Sequence, residues 1–260
     1  MTNPVLSICI VAYKNYDKVK DAIDSINYYC QKIPKQIIVV DNSDDNFIQD
    51  SKQQIQSLKE IKDVVLITPS RNVGFGKANN IALREAKGKY FGIINPDILL
   101  IEDSFSKIIE FLDSHKNIGA VIPKLIDKQG KILPVYRRNI TLYDIFVRYV
   151  NPFHLFDKRR EYHTMQEKDY SKVFEVPFGQ GSFLVVRTSI MKQLNGFDDR
   201  FFMYLEDADL CKRINQISSL VYLPTTQVIH LWAKSSHTNK KLLFIHLNSM
   251  VKYFMKWGLK

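Results

Sequence analysis

Apolar positions along the chain follow two alternating spacings. Continuous runs at residues 6–11, 36–40, 64–67, 90–94 and 118–122 suit strands covered on both faces. Between them, residues 17–29 carry Val19, Ile23 and Ile26 at helical spacing, and residues 77–86 and 104–114 also read as helices. Strands that alternate with helices predict an α/β protein whose mostly parallel central sheet is flanked by helices. Residues 127–175 break the pattern: rich in Arg, Lys, Tyr and Phe, without a clear period, they read as an insertion or mobile segment rather than core. Order returns at residues 176–187, where Gly179-Gln180-Gly181-Ser182 leads into a strand at 183–186. A helix at 204–217, a strand at 220–223 and a final helix at 240–257 complete the chain. Without repeats or a Pro/Gly/Ser-rich linker, this predicts one compact domain.

Composition narrows the class. Of 260 residues, 45% are hydrophobic and 25% charged, which excludes disordered, collagenous and coiled-coil chains. No apolar run approaches the roughly 20 residues of a membrane span, and the N-terminus has no signal-peptide pattern. Cys9, Cys30 and Cys211 make neither a disulfide framework nor a metal spacing, so the expected setting is soluble, reducing and cytoplasmic. The net charge of +10 is unevenly placed: all 27 acids lie at or before Asp209, and residues 210–260 hold eight Lys/Arg. That asymmetry points to a negatively charged partner, whether nucleic acid, a phosphate-bearing substrate or an anionic membrane surface, with a basic solubilising face as the plainer reading.

In such sheets ligands bind beyond the carboxyl ends of the strands, so the polar residues after each apolar run are the first candidates. They are Tyr13 and Asn15, Asp41-Asn42-Ser43, Ser70-Arg71-Asn72 and Asn95-Pro96-Asp97. A carboxylate at Asp41 can accept from a nucleobase N–H or ribose hydroxyl, although Asp-Asn-Ser also favours a plain turn. Arg71-Asn72-Val73-Gly74-Phe75-Gly76 lets backbone approach a ligand and delivers a helix N-terminus. Asp97 can hold Mg²⁺ or Mn²⁺ against a diphosphate, or close a turn. Glu206-Asp207-Ala208-Asp209 follows an aromatic run. On a helix these acids fan around the axis; crowding raises carboxylate pKa values, which suits a general base, and an acidic first turn also satisfies the helix dipole. His230, shortly before Lys234-Ser235-Ser236, is a candidate for metal or diphosphate.

Six motifs run in order: residues 7–15, Val39-Val40-Asp41-Asn42-Ser43, residues 71–76, Asn95-Pro96-Asp97, residues 196–202 and residues 204–210. Together the chain resembles an inverting, GT-A-type family 2 glycosyltransferase over about residues 5 to 236, closest in pattern to rhamnosyltransferase-like enzymes of bacterial surface polysaccharides. The resemblance implies a nucleotide pocket from Ala12, Tyr13, Asn15, Asp41, Asn72, Gly74, Lys77, Asn95 and Pro96. It implies a divalent cation, Mg²⁺ or Mn²⁺, at Asp97 and His230, with Asn95 standing where the family has an acid. Asp207 would be the catalytic base with Glu206 as neighbour and understudy, and Gly179, Gln180, Gly181 and Tyr204 would line the sugar and acceptor side. Residues 1–237 would be the GT-A domain, with a nucleotide-binding half at 1–126 and an acceptor-side half at 127–237.

The implied donor is dTDP-rhamnose or a UDP-hexose. The implied acceptor is a saccharide, lipid-linked in O-antigen or capsule synthesis, and no nucleic-acid partner is expected. Residues 238–260 would be a basic amphipathic helix, with Leu243, Leu247, Met250, Val251 and Phe254 on one face and Trp257 near its end. It reads either as a peripheral element at the inner face of the plasma membrane or as a stripe packed on the core. The rival enzyme, a nucleotidyltransferase, expects a basic Gly-rich loop after the first strand, where Ala12-Tyr13-Lys14-Asn15 stands. An inactive sugar-nucleotide binder is the other alternative.

Overall fold

The computed structural model describes residues 3–149, 155–231 and 240–259. In chain order these form β1 (Leu6–Ala12), α1 (Tyr16–Tyr29), β2 (Lys35–Asp41), α2 (Asp45–Asp50), α3 (Lys52–Lys59), β3 (Val64–Ile67), α4 (Phe75–Glu85), β4 (Tyr90–Ile94), β5 (Ile98–Leu100), α5 (Ser104–Ser114) and β6 (Ile118–Ile126). There follow β7 (Tyr136–Arg137), α6 (Leu142–Tyr149), α7 (Asp157–His163), β8 (Phe174–Glu175), β9 (Phe178–Gly179), β10 (Phe183–Arg187), α8 (Thr188–Gln193), α9 (Glu206–Ile217), β11 (Ser219–His230) and α10 (Lys240–Trp257). Lys234, Ser235 and Ser236, and the expected division at residues 237 and 238, lie outside the described residues.

The apolar runs are strands because both faces are covered: every residue of β4 is buried, whereas β3, at the end of the sheet, is only partly covered. α5 buries Phe105, Ile108, Ile109 and Leu112 at helical spacing. The unpredicted α2 and α3 bury almost nothing, with no buried residue in α2 and Leu58 in α3, so they leave no apolar period. α2 is set instead by Asp44, whose side chain accepts from Phe47 N at 3.1 Å.

The main sheet has strand order β3-β2-β1-β4-β10-β6-β11-β5, with β8 added beside β11. It is parallel from β3 through β4, but β10 runs antiparallel between β4 and β6, and β11 pairs antiparallel with β5 while staying parallel to β6. The parallel expectation thus describes the first half and gives way to a mixed sheet in the second. This reversal positions the site. Pairing of Phe183 with Ile94 sets Gly181-Ser182 beside Asn95, and Asn95 N donates to Ser182 O at 2.8 Å. β11 loses register between Leu223 and Gln227, where Pro224 cannot supply a ladder N–H. It then places His230 opposite Ile98, next to Asp97.

Residues 127–175 are less detached than their composition suggests. β7 pairs with β9 in a separate two-stranded ribbon, and Tyr136 is fully buried. Its hydroxyl donates to Pro123 O at 2.5 Å and accepts from Leu125 N at 2.9 Å. α6 and α7 are joined through buried Asp144, which takes Thr141 Oγ1 at 2.6 Å and Arg159 Nε at 2.7 Å. Short strands and aromatic packing leave no periodic signal, which is why this segment was not predicted as core.

α10 packs one face on the core, one of the two readings its sequence allows. Ser249, Tyr253 and Phe254 are buried. Ser249 Oγ donates to Met203 O at 2.8 Å, and Lys252 Nζ to Arg200 O at 2.7 Å. Lys256 pairs with Asp198 at 2.7 Å and Asp209 at 2.6 Å, and Trp257 Nε1 donates to Asp209 at 2.8 Å. The predicted apolar stripe therefore splits: Met250 and Phe254 pack on the core, as does Trp257 beyond the stripe, while Leu243, Leu247 and Val251 stay exposed.

Candidate active site

The first half contributes a set of interlocked turns. Asp41 is buried; its Oδ2 takes the Tyr16 hydroxyl and its Oδ1 accepts from Ser43 N at 3.0 Å, so the turn anticipated at Asp-Asn-Ser is present and the carboxylate is held inward. Ala12 is buried and its carbonyl accepts from Asn42 N at 2.8 Å. Tyr13 is exposed, and its N–H donates to Asn15 Oδ1 at 2.9 Å. Asn42 reaches across to the glycine loop, its Nδ2 donating to Gly74 O at 3.1 Å. Asn72 Oδ1 accepts from Gly74 N at 2.9 Å, which closes the loop and leaves Asn72 exposed, with Lys77 half-buried on the first turn of α4. Gly74 has φ +85°, and a Cβ there would lie 2.1 Å from Phe202 O. The same carbonyl accepts from Phe75 N at 3.0 Å, so the loop docks directly on the aromatic run ahead of α9.

That run ends in two left-handed residues, Tyr204 (φ 70°) and Leu205 (φ 64°). Such non-glycine backbone is uncommon, and here it swings the chain into α9 and fans the three acids apart. Asp209 goes to the core, paired with Arg213 Nε at 2.8 Å and with Lys256 and Trp257. Glu206 is buried against Gly76 of α4, and no hydrogen bond reaches its Oε2 among the described residues. Asp207 is half-buried; its Oδ2 accepts from Gly181 N at 3.0 Å and its Oδ1 from Ala208 N at 2.8 Å. A Cβ on Gly181 would lie 3.0 Å from Asp207 Cβ, so any larger residue there would push the Asp207 side chain by a few tenths of an ångström.

Burial and the Asp207 charge push Glu206 well above the usual carboxylate value. Burial also raises Asp207, opposed by the N–H groups of Gly181 and Ala208 and by the positive charge of Arg137. Glu206 is thus displaced further toward its neutral form than Asp207, whose anion the two backbone donors favour. An ionised, partly accessible carboxylate oriented by two backbone donors is suited to remove a proton from an incoming hydroxyl.

On the other side of the Gly181-Ser182 step lies the Asn95-Pro96-Asp97 turn. Asp97 Oδ1 sits 3.4 Å from His230 Nε2, and Leu231 N donates to Asp97 O at 2.8 Å. Burial disfavours the Asp97 carboxylate, but the His230 ring outweighs it and holds the carboxyl below its ordinary value. No cluster of three or more His, Cys, Asp or Glu able to hold a metal occurs among the described residues. One carboxylate and one imidazole, with no hydrogen bond to Asp97 Oδ1 among the described residues, still fit a hard cation that takes its remaining ligands from phosphate oxygens and water.

Gln180 Oε1 and Ser182 Oγ are buried acceptors without a hydrogen-bond partner among the described residues. Gln180 is anchored by its N–H on Val135 O at 3.1 Å. Gly179 is buried in β9, and Tyr204 packs its ring on His246 of α10 at 5.0 Å, so it sits at the tail-helix side. Two hollows open in the surface, only one of them touching a candidate site residue, His230. One of about 540 Å³ is lined by Asp127, Lys128, Lys131, His230 and Leu231. The other, about 690 Å³ between α4, the Asn195–Asp199 turn and α10, contains none of the predicted site residues. Sequence reasoning did not single out Asn42 as a loop clamp or Arg137. For Arg137 the available signal was the Arg-Arg doublet after Tyr136 in an otherwise aperiodic stretch.

The model of the family described as "Glycosyl transferase family 2" matches residues 7–194. The chain belongs to that family. It is 28% identical to rhamnosyltransferase WbbL of Escherichia coli over 261 residues, covering 96% of this chain and 92% of that one. It is 27% identical to an N-acetylglucosaminyl-diphospho-decaprenol L-rhamnosyltransferase of Mycobacterium tuberculosis, covering 89% and 78%. The fold is also that of mannosyltransferase PcManGT from Pyrobaculum calidifontis, solved with GDP-Man and Mn²⁺, at TM-score 0.63 and 16% identity. It matches GalNAc-T7, solved with UDP, GalNAc and Mn²⁺, at TM-score 0.68 and 14% identity. The chain is covered to 91% in both comparisons and spans 59% and 45% of those longer chains. The protein is thus a glycosyltransferase with a GT-A fold.

Proposed function

We propose that this glycosyltransferase inverts the sugar it transfers, moving rhamnose from dTDP-rhamnose, or a hexose from a UDP-hexose, to a lipid-linked saccharide in cell-surface polysaccharide synthesis. The observation that carries the reading is the Gly181-Ser182 step, which ties Asp207 through Gly181 N and the Asn95-Asp97 turn through Ser182 O into one site. The acceptor hydroxyl attacks the anomeric carbon as its proton passes to Asp207, the bond from that carbon to the phosphate oxygen breaks, and the nucleoside diphosphate leaves with the electron pair. One base suffices, because the phosphate departs without protonation. The exposed turns at Tyr13 and Asn72, with Lys77 behind them, face the nucleotide. Gln180 Oε1 is placed to accept from a sugar hydroxyl, which would satisfy a buried acceptor otherwise costing about 1–3 kcal/mol. Asp97 and His230 would hold a divalent cation, which neutralises charge on the departing diphosphate. The 1–126 half would bind nucleotide and the 127–237 half the acceptor.

The exposed row of α10 supports a membrane-facing placement. Leu243, Phe244, Leu247, Val251 and Met255 are exposed although the opposite face is fastened to the core, and the helix lies in the acid-free part of the chain. No described helix is long and apolar enough to cross a membrane, so the contact would be peripheral. Phe244 and Met255 are 73% and 81% exposed. A Phe244→Ser, Met255→Ser variant should therefore fold normally and sediment less with anionic vesicles; undiminished sedimentation contradicts this placement.

The donor reading is tested by a thermal-shift panel of UDP-, dTDP- and GDP-sugars with and without Mn²⁺. One nucleotide class should stabilise the protein by about 2.7 kcal/mol at a hundred times its Kd, with the Mn²⁺-dependent part lost in Asp97→Ala. No response to any sugar nucleotide would contradict it.

A further inference from the structure

Five residues of α10 reach one short stretch of chain, residues 198–209. Ser249 Oγ donates to Met203 O at 2.8 Å, Lys252 Nζ donates to Arg200 O at 2.7 Å, and the His246 ring lies 5.0 Å from the Tyr204 ring. Lys256 Nζ spans the stretch, pairing with Asp198 at 2.7 Å at its start and with Asp209 Oδ1 at 2.6 Å at its end. Trp257 Nε1 donates to the same Asp209 oxygen at 2.8 Å.

Between those ends stand Tyr204 and Leu205, with φ of 70° and 64°. Non-glycine residues keep such backbone only where their surroundings over-determine it, and α10 supplies contacts at Met203 and Tyr204 themselves. Asp209 N donates to Leu205 O at 2.9 Å, closing the first turn of α9, so whatever holds Asp209 holds Leu205 as well. At 3.6 residues per turn, residues 207 and 209 leave the helix about 200° apart. The first turn of α9 is therefore gripped on one side by α10, with Arg213 Nε on Asp209 at 2.8 Å. It presents Asp207 on the other side, where Gly181 N meets the carboxylate at 3.0 Å.

We propose that α10 is a positioning element of the catalytic site: Lys256 and Trp257, acting through Asp209, fix the rotation of the first turn of α9 and so keep the Asp207 carboxylate on Gly181 N. The inference rests on the reading of Asp207 as the base given above.

Amide hydrogen exchange in the full chain, followed by NMR, reads the position of the carboxylate without any substrate. Lys256→Met removes the cation that spans the stretch. Trp257→Phe removes one donor, keeps an aromatic ring and the ion pair, and serves if Lys256→Met does not fold. The Gly181 amide should exchange about 10-fold faster in Lys256→Met and about threefold faster in Trp257→Phe. The Ile37 amide, bonded to Asp63 O at 2.9 Å in β2, should stay within about twofold, and Lys256→Arg should leave both amides near wild type. With the donor selected by the thermal-shift panel and water in the acceptor's place, kcat should fall by similar factors while KM for the donor stays within about twofold. Unchanged exchange at Gly181 in both variants, or an equal rise at Gly181 and Ile37, overturns the proposal. Faster exchange at Gly181 alone, with kcat unchanged, overturns Asp207 as the base and leaves its positioning by α10 standing.

Discussion

Gly181→Ala isolates the positioning of the base from everything else the site does. The added Cβ would stand 3.0 Å from Asp207 Cβ, closer than side chains ordinarily pack, and 3.6 Å from Asp207 Oδ2, an ordinary contact. No positive φ is required at this residue, so the substitution adds no backbone strain, and the whole cost falls on Asp207. The carboxylate must move by a few tenths of an ångström, and the 3.0 Å bond from Gly181 N lengthens or breaks. A hydrogen bond to a charged group contributes about 1.5–3 kcal/mol, and a displacement of about 1 Å at a reacting group costs about a hundredfold. Together these give an expected fall in kcat of about 10- to 100-fold. Steady-state kinetics at saturating donor would read it, and the donor-induced thermal shift should match wild type because the nucleotide turns lie on other strands. A kcat within twofold of wild type would refute the claim that Gly181 orients the base.

Gly74→Ala should act on stability instead: its Cβ would meet Phe202 O at 2.1 Å in a backbone with φ +85°. Left-handed strain and the lost Phe75–Phe202 bond should together cost about 2–4 kcal/mol, seen as a Tm drop of about 4–16 °C; a drop under about 2 °C contradicts the docking. Glu206→Gln tests where the proton resides. Because the folded pKa of Glu206 is raised above its ordinary 4.5, its contribution to stability is full below that pH and is lost as pH rises through the folded value. The variant should therefore gain on wild type in denaturation midpoints measured from pH 5 to pH 8, and a pH-independent difference would contradict a protonated Glu206.

Much of this architecture was legible because burial on both faces leaves continuous apolar runs. Val64–Ile67, Tyr90–Ile94 and Ser104–Ser114 were read with the bounds they have. Strand direction was not legible, since an apolar run reads alike either way along the sheet, and the reversal of β10 decides which residues meet Asn95. The acids of α9 were legible as a cluster, but their division was not. Separate destinations for Glu206, Asp207 and Asp209 depend on the left-handed pair Tyr204-Leu205 and on partners as distant as Gly181 and Trp257. The tail was legible as a basic helix with two readings, membrane-facing or packed on the core; that Trp257 and Lys256 find a buried carboxylate at Asp209 depends on a partner far away in the sequence. Arg137 was hidden in a stretch whose order comes from ring packing around Tyr136 rather than from periodicity.

Asp207→Asn tests the central claim most directly. The amide keeps the size and can still accept from Gly181 N, but it cannot take a proton from the acceptor. General-base catalysis contributes about 10²–10⁴-fold, or about 3–5 kcal/mol. Single-turnover transfer should fall by that factor while the donor-induced thermal shift stays at its wild-type value; a variant that binds donor and keeps most of its turnover would contradict Asp207 as the base.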